Sequence, residues 1–226
     1  MDDLKLNKEL KSFWDTQAKD IAPMEIKPEQ FSCEDNFDRY MKDIGDNYST
    51  ILDIGTGFGF SLLTMSALGT KCTKLVGIDT SENSINFATQ TAKLSNLKNI
   101  EFHVGGEDYL DNIQSESFDA IVCSNVLDVI TPSVSDKIIK SIMRILKKDG
   151  LLFVKINFFL TDELIEKTHA EYIGDDCYLI DGILRSRNIS TDEWVKKFSS
   201  LTLIKEDEYA RIKNGPKDRV LLFKKN

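Results

Sequence analysis

Histidine is almost missing from this 226-residue chain. His103 and His169 are the only two, so acid–base chemistry near neutral pH has few carriers. Cysteine is sparse as well: Cys33, Cys72, Cys123 and Cys177 stand far apart, with no Cys-x-x-Cys or Cys/His spacing. That pattern gives no support to a structural zinc or an iron–sulfur cluster, and it predicts free, mostly buried thiols and no metal. Long hydrophobic runs are lacking too. The most apolar stretch, residues 150–160, contains Lys155 and Asn157 and is too short to span a bilayer. The opening Met1-Asp2-Asp3-Leu4-Lys5 has no apolar segment of the signal-peptide kind, so a cytoplasmic protein with no membrane partner is expected. Basic excess is missing: the net charge is −8 with a pI near 4.9, and only the pairs Lys147-Lys148 and Lys224-Lys225 stand out. A surface tracking nucleic-acid phosphates is therefore not expected. No internal repeat or low-complexity linker is visible.

Apolar residues make up 41% of the chain, enough for a large core, and the length suits one α/β domain with additions at its ends. The chain is organised around Ile51-Leu52-Asp53-Ile54-Gly55-Thr56-Gly57-Phe58-Gly59-Phe60. A short apolar run breaks into glycines on alternate positions and enters the helical pattern Ser61-Leu62-Leu63-Thr64-Met65, which reads as strand, tight turn and helix. Glycines there let a ligand approach the main chain, and the helix start offers unpaired N–H groups. A dinucleotide fingerprint would need its third glycine one residue later. Asp53 would also repel a pyrophosphate, whereas it can receive an ammonium directly or through water.

Strands are expected at Lys74–Asp79, Ile100–Val104, Phe118–Ser124 and Leu151–Ile156, separated by helical patterns. Helices are expected from Leu4 to Ala22, from Cys33 to Ile44 with Gly45 as a stop, and from Ser133 to Lys147, closed by Asp149-Gly150. Farther on come a helix over Thr161–Ala170, a hairpin turning at Asp181-Gly182, a capped helix from Thr191 and two C-terminal strands. Asp79 ends the second strand about 20 residues past the glycine turn, where a carboxylate can accept two hydrogen bonds from a ribose diol. Asn125 and Asp128 leave strand four at the switch point of a doubly wound sheet and should face a ligand.

Asp53-x-Gly55-x-Gly57-x-Gly59, joined to Asp79 and an apolar fourth strand, resembles class I S-adenosylmethionine-dependent methyltransferases, with the resemblance running from about Trp14 to Phe223. It implies a doubly wound, mostly parallel seven-stranded sheet with an antiparallel C-terminal hairpin. It implies S-adenosylmethionine as cofactor, held by Trp14, Asp53, Gly55, Thr56, Gly57, Asp79, Thr80 and Asn125, with the adenine beside Gly106. In the family an Asp commonly occupies the position of Gly106, and Glu107 or Asp108 is expected to replace it. Residues 1–46 are expected to form a helical cap, with Phe13-Trp14-Asp15 as a lid, over a methyltransferase domain at 47–226 whose acceptor-pocket insertion spans about 157–190.

The implied reaction is an in-line methyl transfer to a small molecule. Asp128 and His169 are the candidates for a base, and His103 reads as a core residue. Trp14, Phe158, Phe159, Tyr172, Tyr178, Arg185, Arg187 and Trp194 are expected to build the acceptor pocket, the two arginines serving a carboxylate or phosphate. A non-catalytic S-adenosylmethionine-binding protein and an NAD(P)-dependent oxidoreductase are the alternatives; the glycine spacing and Asp53 disfavour the second.

Overall fold

The computed structural model describes residues 2–31 and 36–226. Its frame is a seven-stranded sheet built from β1 (Thr50–Ile54), β2 (Lys74–Asp79), β3 (Ile100–Val104), β4 (Phe118–Ser124), β5 (Leu146–Ile156), β9 (Thr202–Ala210) and β10 (Lys217–Lys224). The order is β3-β2-β1-β4-β5-β10-β9, with β1 to β5 parallel and β10 antiparallel to both neighbours. The chain starts at β1, works outward to β3, then returns to β4 on the other side. This reversal leaves a crevice at the carboxyl ends of β1 and β4, where ligands of such sheets bind.

Helices cover both faces because the central strands are apolar on both. On one face α6 (Pro132–Ile145) buries Ile138, Ile139, Ile142 and Ile145 against β4 and β5, joined by Trp194 and Phe198 from the region of α8 (Thr191–Lys197). Each such side chain stabilises the fold by roughly 1.5–3 kcal/mol. On the other face α2 (Asn36–Asn47) and α3 (Phe60–Leu68) pack Met41, Ile44, Leu62 and Met65 against Ile51 and Phe153. The remaining helices are α1 (Asp3–Ala18), α4 (Glu82–Leu94), α5 (Glu107–Asp111) and α7 (Asp162–Thr168). A separate antiparallel sheet joins β6 (Glu171–Tyr172), β7 (Cys177–Ile180) and β8 (Ile183–Arg187). Asp181 and Gly182 turn its hairpin, both at positive φ. Among the described residues no helix is long and apolar enough to cross a membrane.

The expected strands β2, β3 and β4 match residue for residue, and boundaries elsewhere differ. The start of the helix expected from Cys33 lies outside the described residues, and its other end runs past Gly45 to Asn47. Gly45 is there for contact rather than termination: a Cβ on it would stand 3.1 Å from the Cα of Gly69, at the end of α3. The helix expected to reach Lys147 stops at Ile145, because Leu146 already pairs with Phe118 as the first residue of β5. Asp149 and Gly150 thus bend that strand instead of closing a helix, and both bond to Lys225. At the N-terminus α1 ends at Ala18, four residues short of Ala22.

Candidate active site

The glycine turn is held from below and from the side. Asp53, at 1% exposure, accepts from Thr56 Oγ1 at 2.8 Å, and Thr56 N donates to Ile78 O at 2.9 Å. Burial pushes the Asp53 carboxyl up to about 7; hydrogen bonds from Thr56 and Ser61 partly offset this, and the charge of Asp79 adds to it. Asp79 accepts Gly57 N through Oδ2 and Ser81 N through Oδ1, both at 2.9 Å. Its carboxyl too is raised by burial, against the pull of those amides. Gly57 and Gly59 both have positive φ but face different surroundings. A Cβ on Gly59 would stand 2.6 Å from the Phe102 ring, whereas one on Gly57 would meet nothing within 4 Å. Gly57 therefore presents bare backbone to open space.

That space is a cavity of about 770 Å³. Gly55, Gly57, Asp79, Thr80, Gly106 and Glu107 line one part of it, and Asn125, Val126, Asn157 and Arg211 line the exits of β4, β5 and β9. The roof is α1, which contributes Leu4, Asn7, Leu10 and Trp14. It is fastened at both ends. Asp15 accepts from Asn83 N at 2.9 Å and Ser81 Oγ at 3.0 Å, at the start of α4. Asn7 Nδ2 donates to Thr131 Oγ1 at 2.9 Å, and Ser133 donates to Asp3, at the start of α6. The amide of Asn83 and the hydroxyl of Ser81 hold the Asp15 carboxyl below its usual range, despite some desolvation.

Of the residues expected to hold a cofactor, Trp14, Gly55, Gly57, Asp79, Thr80, Gly106, Glu107 and Asn125 line this cavity. Asp53 and Thr56 lie beneath the turn. Asp108 is turned back on its own helix start, accepting Gly106 N at 3.1 Å. Asp128 is buried at 1% exposure below the floor, where Oδ2 accepts both Asn157 N and Nδ2, at 2.9 and 2.7 Å. Its Oδ1 has no partner, and burial raises its carboxyl. His169 caps the end of α7 and His103 stacks on Tyr109, both away from the cavity.

The expected aromatic acceptor pocket is largely absent from the cavity wall. Trp194 is fully buried in the core and Tyr172 packs on Tyr178 within the small sheet. Phe158 and Phe159 lie outside the lining, the latter under the guanidinium of Arg219. Arg187 turns to Asp136 and Trp194, so of the expected set only Trp14 and Arg185 face the cavity. The reason is that most of these side chains find nearer partners: Trp194 sits in the core on α8, Tyr172 and Tyr178 pair across β6 and β7, and Arg187 reaches Asp136.

Two residues went unnoticed in the sequence. Asn157 Oδ1 accepts from Asn125 Nδ2 at 2.7 Å and from Arg211 Nη2 at 2.6 Å, so one amide joins three strand exits. A polar residue just past β5 was a usable signal for Asn157. Arg211 had none, since only the parallel alignment of β9 with β5 brings its loop to the carboxyl edge.

Comparison with known proteins agrees with this geometry. Residues 46–199 match the family described as "Methyltransferase domain". The chain is 31% identical over 176 residues to the ubiquinone biosynthesis O-methyltransferase of Glaesserella parasuis, covering 75% of this chain and 69% of that one. It is 30% identical over 141 residues to the protein-lysine N-methyltransferase EFM4 of Saccharomyces cerevisiae, covering 58% and 60%. The first curated relatives it matches are covered over 58% of their length. In fold it superposes, at a TM-score of 0.73 and 15% identity, on a Burkholderia thailandensis 1,6-didemethyltoxoflavin-N1-methyltransferase crystallised with bound 1,6-didemethyltoxoflavin and S-adenosylhomocysteine. That alignment covers all of this chain and 91% of the other.

Proposed function

The chain belongs to the class I S-adenosylmethionine-dependent methyltransferase family, and from that premise we propose that it methylates a small-molecule acceptor enclosed beneath α1. The observation that carries this reading is the shared chamber: the glycine turn, the β4 exit and the roof helix line one cavity. An acceptor of small size fits a space roofed by a helix that is bonded down at both ends.

The residues suit the cofactor. Asp79 keeps one acceptor position on each oxygen after taking Gly57 N and Ser81 N, enough for a vicinal diol. Gly57 leaves backbone open to the ligand, and Glu107 and Gly106 stand at the next strand exit. When bound, S-adenosylmethionine supplies an activated methyl carbon, whose sulfur departs as a neutral thioether. The protein's part is to align the acceptor and exclude water. Trp14 and Leu10 give the roof an apolar underside for the second task. For the first, Asp128 fixes the amide of Asn157, which in turn fixes Asn125 at the β4 exit and Arg211 at the β9 exit. Asp128 itself lies below the lining, so its proposed role is to orient this group of amides.

The test is incubation with methyl-labelled S-adenosylmethionine and a cell extract split by size. Label is expected in the low-molecular-weight fraction. Label confined to proteins or nucleic acids would overturn the small-molecule reading, and failure of the protein to bind S-adenosylhomocysteine would overturn the cofactor.

A further inference from the structure

The chain as a whole is acidic, yet its cavity is not. Lys8, Lys11, Lys137, Arg185 and Arg211 line it, against Asp3, Asp79 and Glu107. Two of those acids are engaged: Asp3 accepts from Ser133, and Asp79 takes two backbone amides. The fold has therefore gathered cations where the net charge of −8 would predict the reverse.

Arg185 and Arg211 are the informative pair. Arg185 makes no hydrogen bond or ion pair among the described residues. Its guanidinium lies against the rings of Phe13 and Trp14, 5.4 and 5.3 Å from their centroids. Such stacking steadies a guanidinium while leaving its in-plane N–H donors unused. Arg211 spends Nε on Asp218 and Nη2 on Asn157, keeping donors on Nη1. Burial and the charge of Arg211 lower the Arg185 pKa, only partly countered by Asp181. The partly buried Arg185 thus stands across the cavity from Arg211 with its in-plane donors unused, and the group that could pair with free donors on both is a planar or tetrahedral oxyanion.

We propose that the methyl acceptor carries an oxyanion, a carboxylate or phosphate, held between Arg185 and Arg211 beside the Asn125–Asn157 pair. This rests on the methyltransferase reading above and adds the acceptor's chemical class. Phe13 and Trp14 brace Arg185 from α1, so roof closure and recognition of the anion act through the same contact.

The experiment is calorimetry on the full chain saturated with S-adenosylhomocysteine, titrated with 4-hydroxybenzoate, phenyl phosphate and the uncharged 4-hydroxybenzamide. At least one anion is expected to bind about tenfold tighter than the amide, and Arg185→Gln to lose about that factor, with Arg185→Lys between. Whichever anion binds tighter names the source of the charge. Anions no tighter than the amide would overturn the proposal. So would an Arg185→Gln variant that loses S-adenosylhomocysteine affinity while keeping its anion affinity, which would give Arg185 to the cofactor's own carboxylate. Wild-type protein that binds no S-adenosylhomocysteine would sink the methyltransferase reading instead, and the anion comparison would still be readable on the unloaded chain.

Discussion

Asp79, the last residue of β2, accepts the backbone N–H of Gly57 at 2.9 Å, so the acid ending one strand holds the turn that leaves its neighbour. The same carboxylate faces the cavity, which couples the shape of the turn to whatever binds there. Asp79→Asn replaces an acceptor oxygen with a donor that cannot pair with an amide N–H. Its affinity for S-adenosylhomocysteine is expected to fall by roughly 1.5–3 kcal/mol in calorimetry. Unchanged affinity would remove Asp79 from the cofactor site.

Gly57 and Gly59 are expected to part company on substitution. Both would strain an Ala through positive φ, at about 1 kcal/mol. At Gly59 the new Cβ also meets the Phe102 ring at 2.6 Å and Ala88 Cβ at 3.0 Å, deep between α3, α4 and β3. Overpacking there should bring the loss in urea unfolding to about 2–4 kcal/mol. Gly57→Ala meets nothing and should cost little beyond the strain, yet it places a methyl in the open space of the cavity. The pattern expected is folded, ligand-poor protein for Gly57→Ala and destabilised protein for Gly59→Ala; equal stability losses would contradict it.

How far the sequence reaches is clear from these same residues. The alternation of apolar strands with helical patterns made β2, β3 and β4 readable to the residue, and for β2 and β4 burial on both faces leaves little freedom of boundary. The glycine turn and Asp79 were readable for the same reason: one strand, one turn and a fixed spacing determine them. The far wall of the cavity was not. Trp194 and Tyr178 have the composition of a pocket but pack into the core and the small sheet, and nothing local distinguishes the two fates. Arg211 reaches the site only through the pairing of β9 with β10 and of β10 with β5, which is long-range information.

Asp15 should act as the latch of the roof. It takes the amide of Asn83 and the hydroxyl of Ser81, groups at the start of α4 that would otherwise turn to water. Asp15→Ala is expected to cost about 1–2 kcal/mol of local stability. Hydrogen exchange should quicken in α1 and the first turn of α4 while β1 and β4 stay protected. A uniform change over the whole chain would mean that α1 is not a separately opening element. Since the Asp15 pKa is lowered in the folded protein, its contribution holds above the ordinary carboxylate range and is lost as pH falls through the folded value.

Asp53 predicts the opposite pH dependence. Its carboxyl titrates near pH 7 when folded, chiefly because it is buried, and near the ordinary value of 3.8 when unfolded. Between those values the folded chain holds a proton that the unfolded chain has released, so stability declines as pH rises across the window and levels off above it. The loss is on the order of 4 kcal/mol for a fully buried group of this shift. Asp79 and Asp128 are raised in the same direction, so Asp53→Asn should flatten the decline without abolishing it. A ligand ammonium near the turn would favour the ionised form of Asp53, and binding should then expel its proton. S-adenosylhomocysteine titrated at pH 6.5, in buffers of different ionisation enthalpy, should accordingly show proton release by the wild type and less by Asp53→Asn. Proton uptake, or release unchanged by the substitution, would separate Asp53 from the ligand and leave it only the task of holding Thr56.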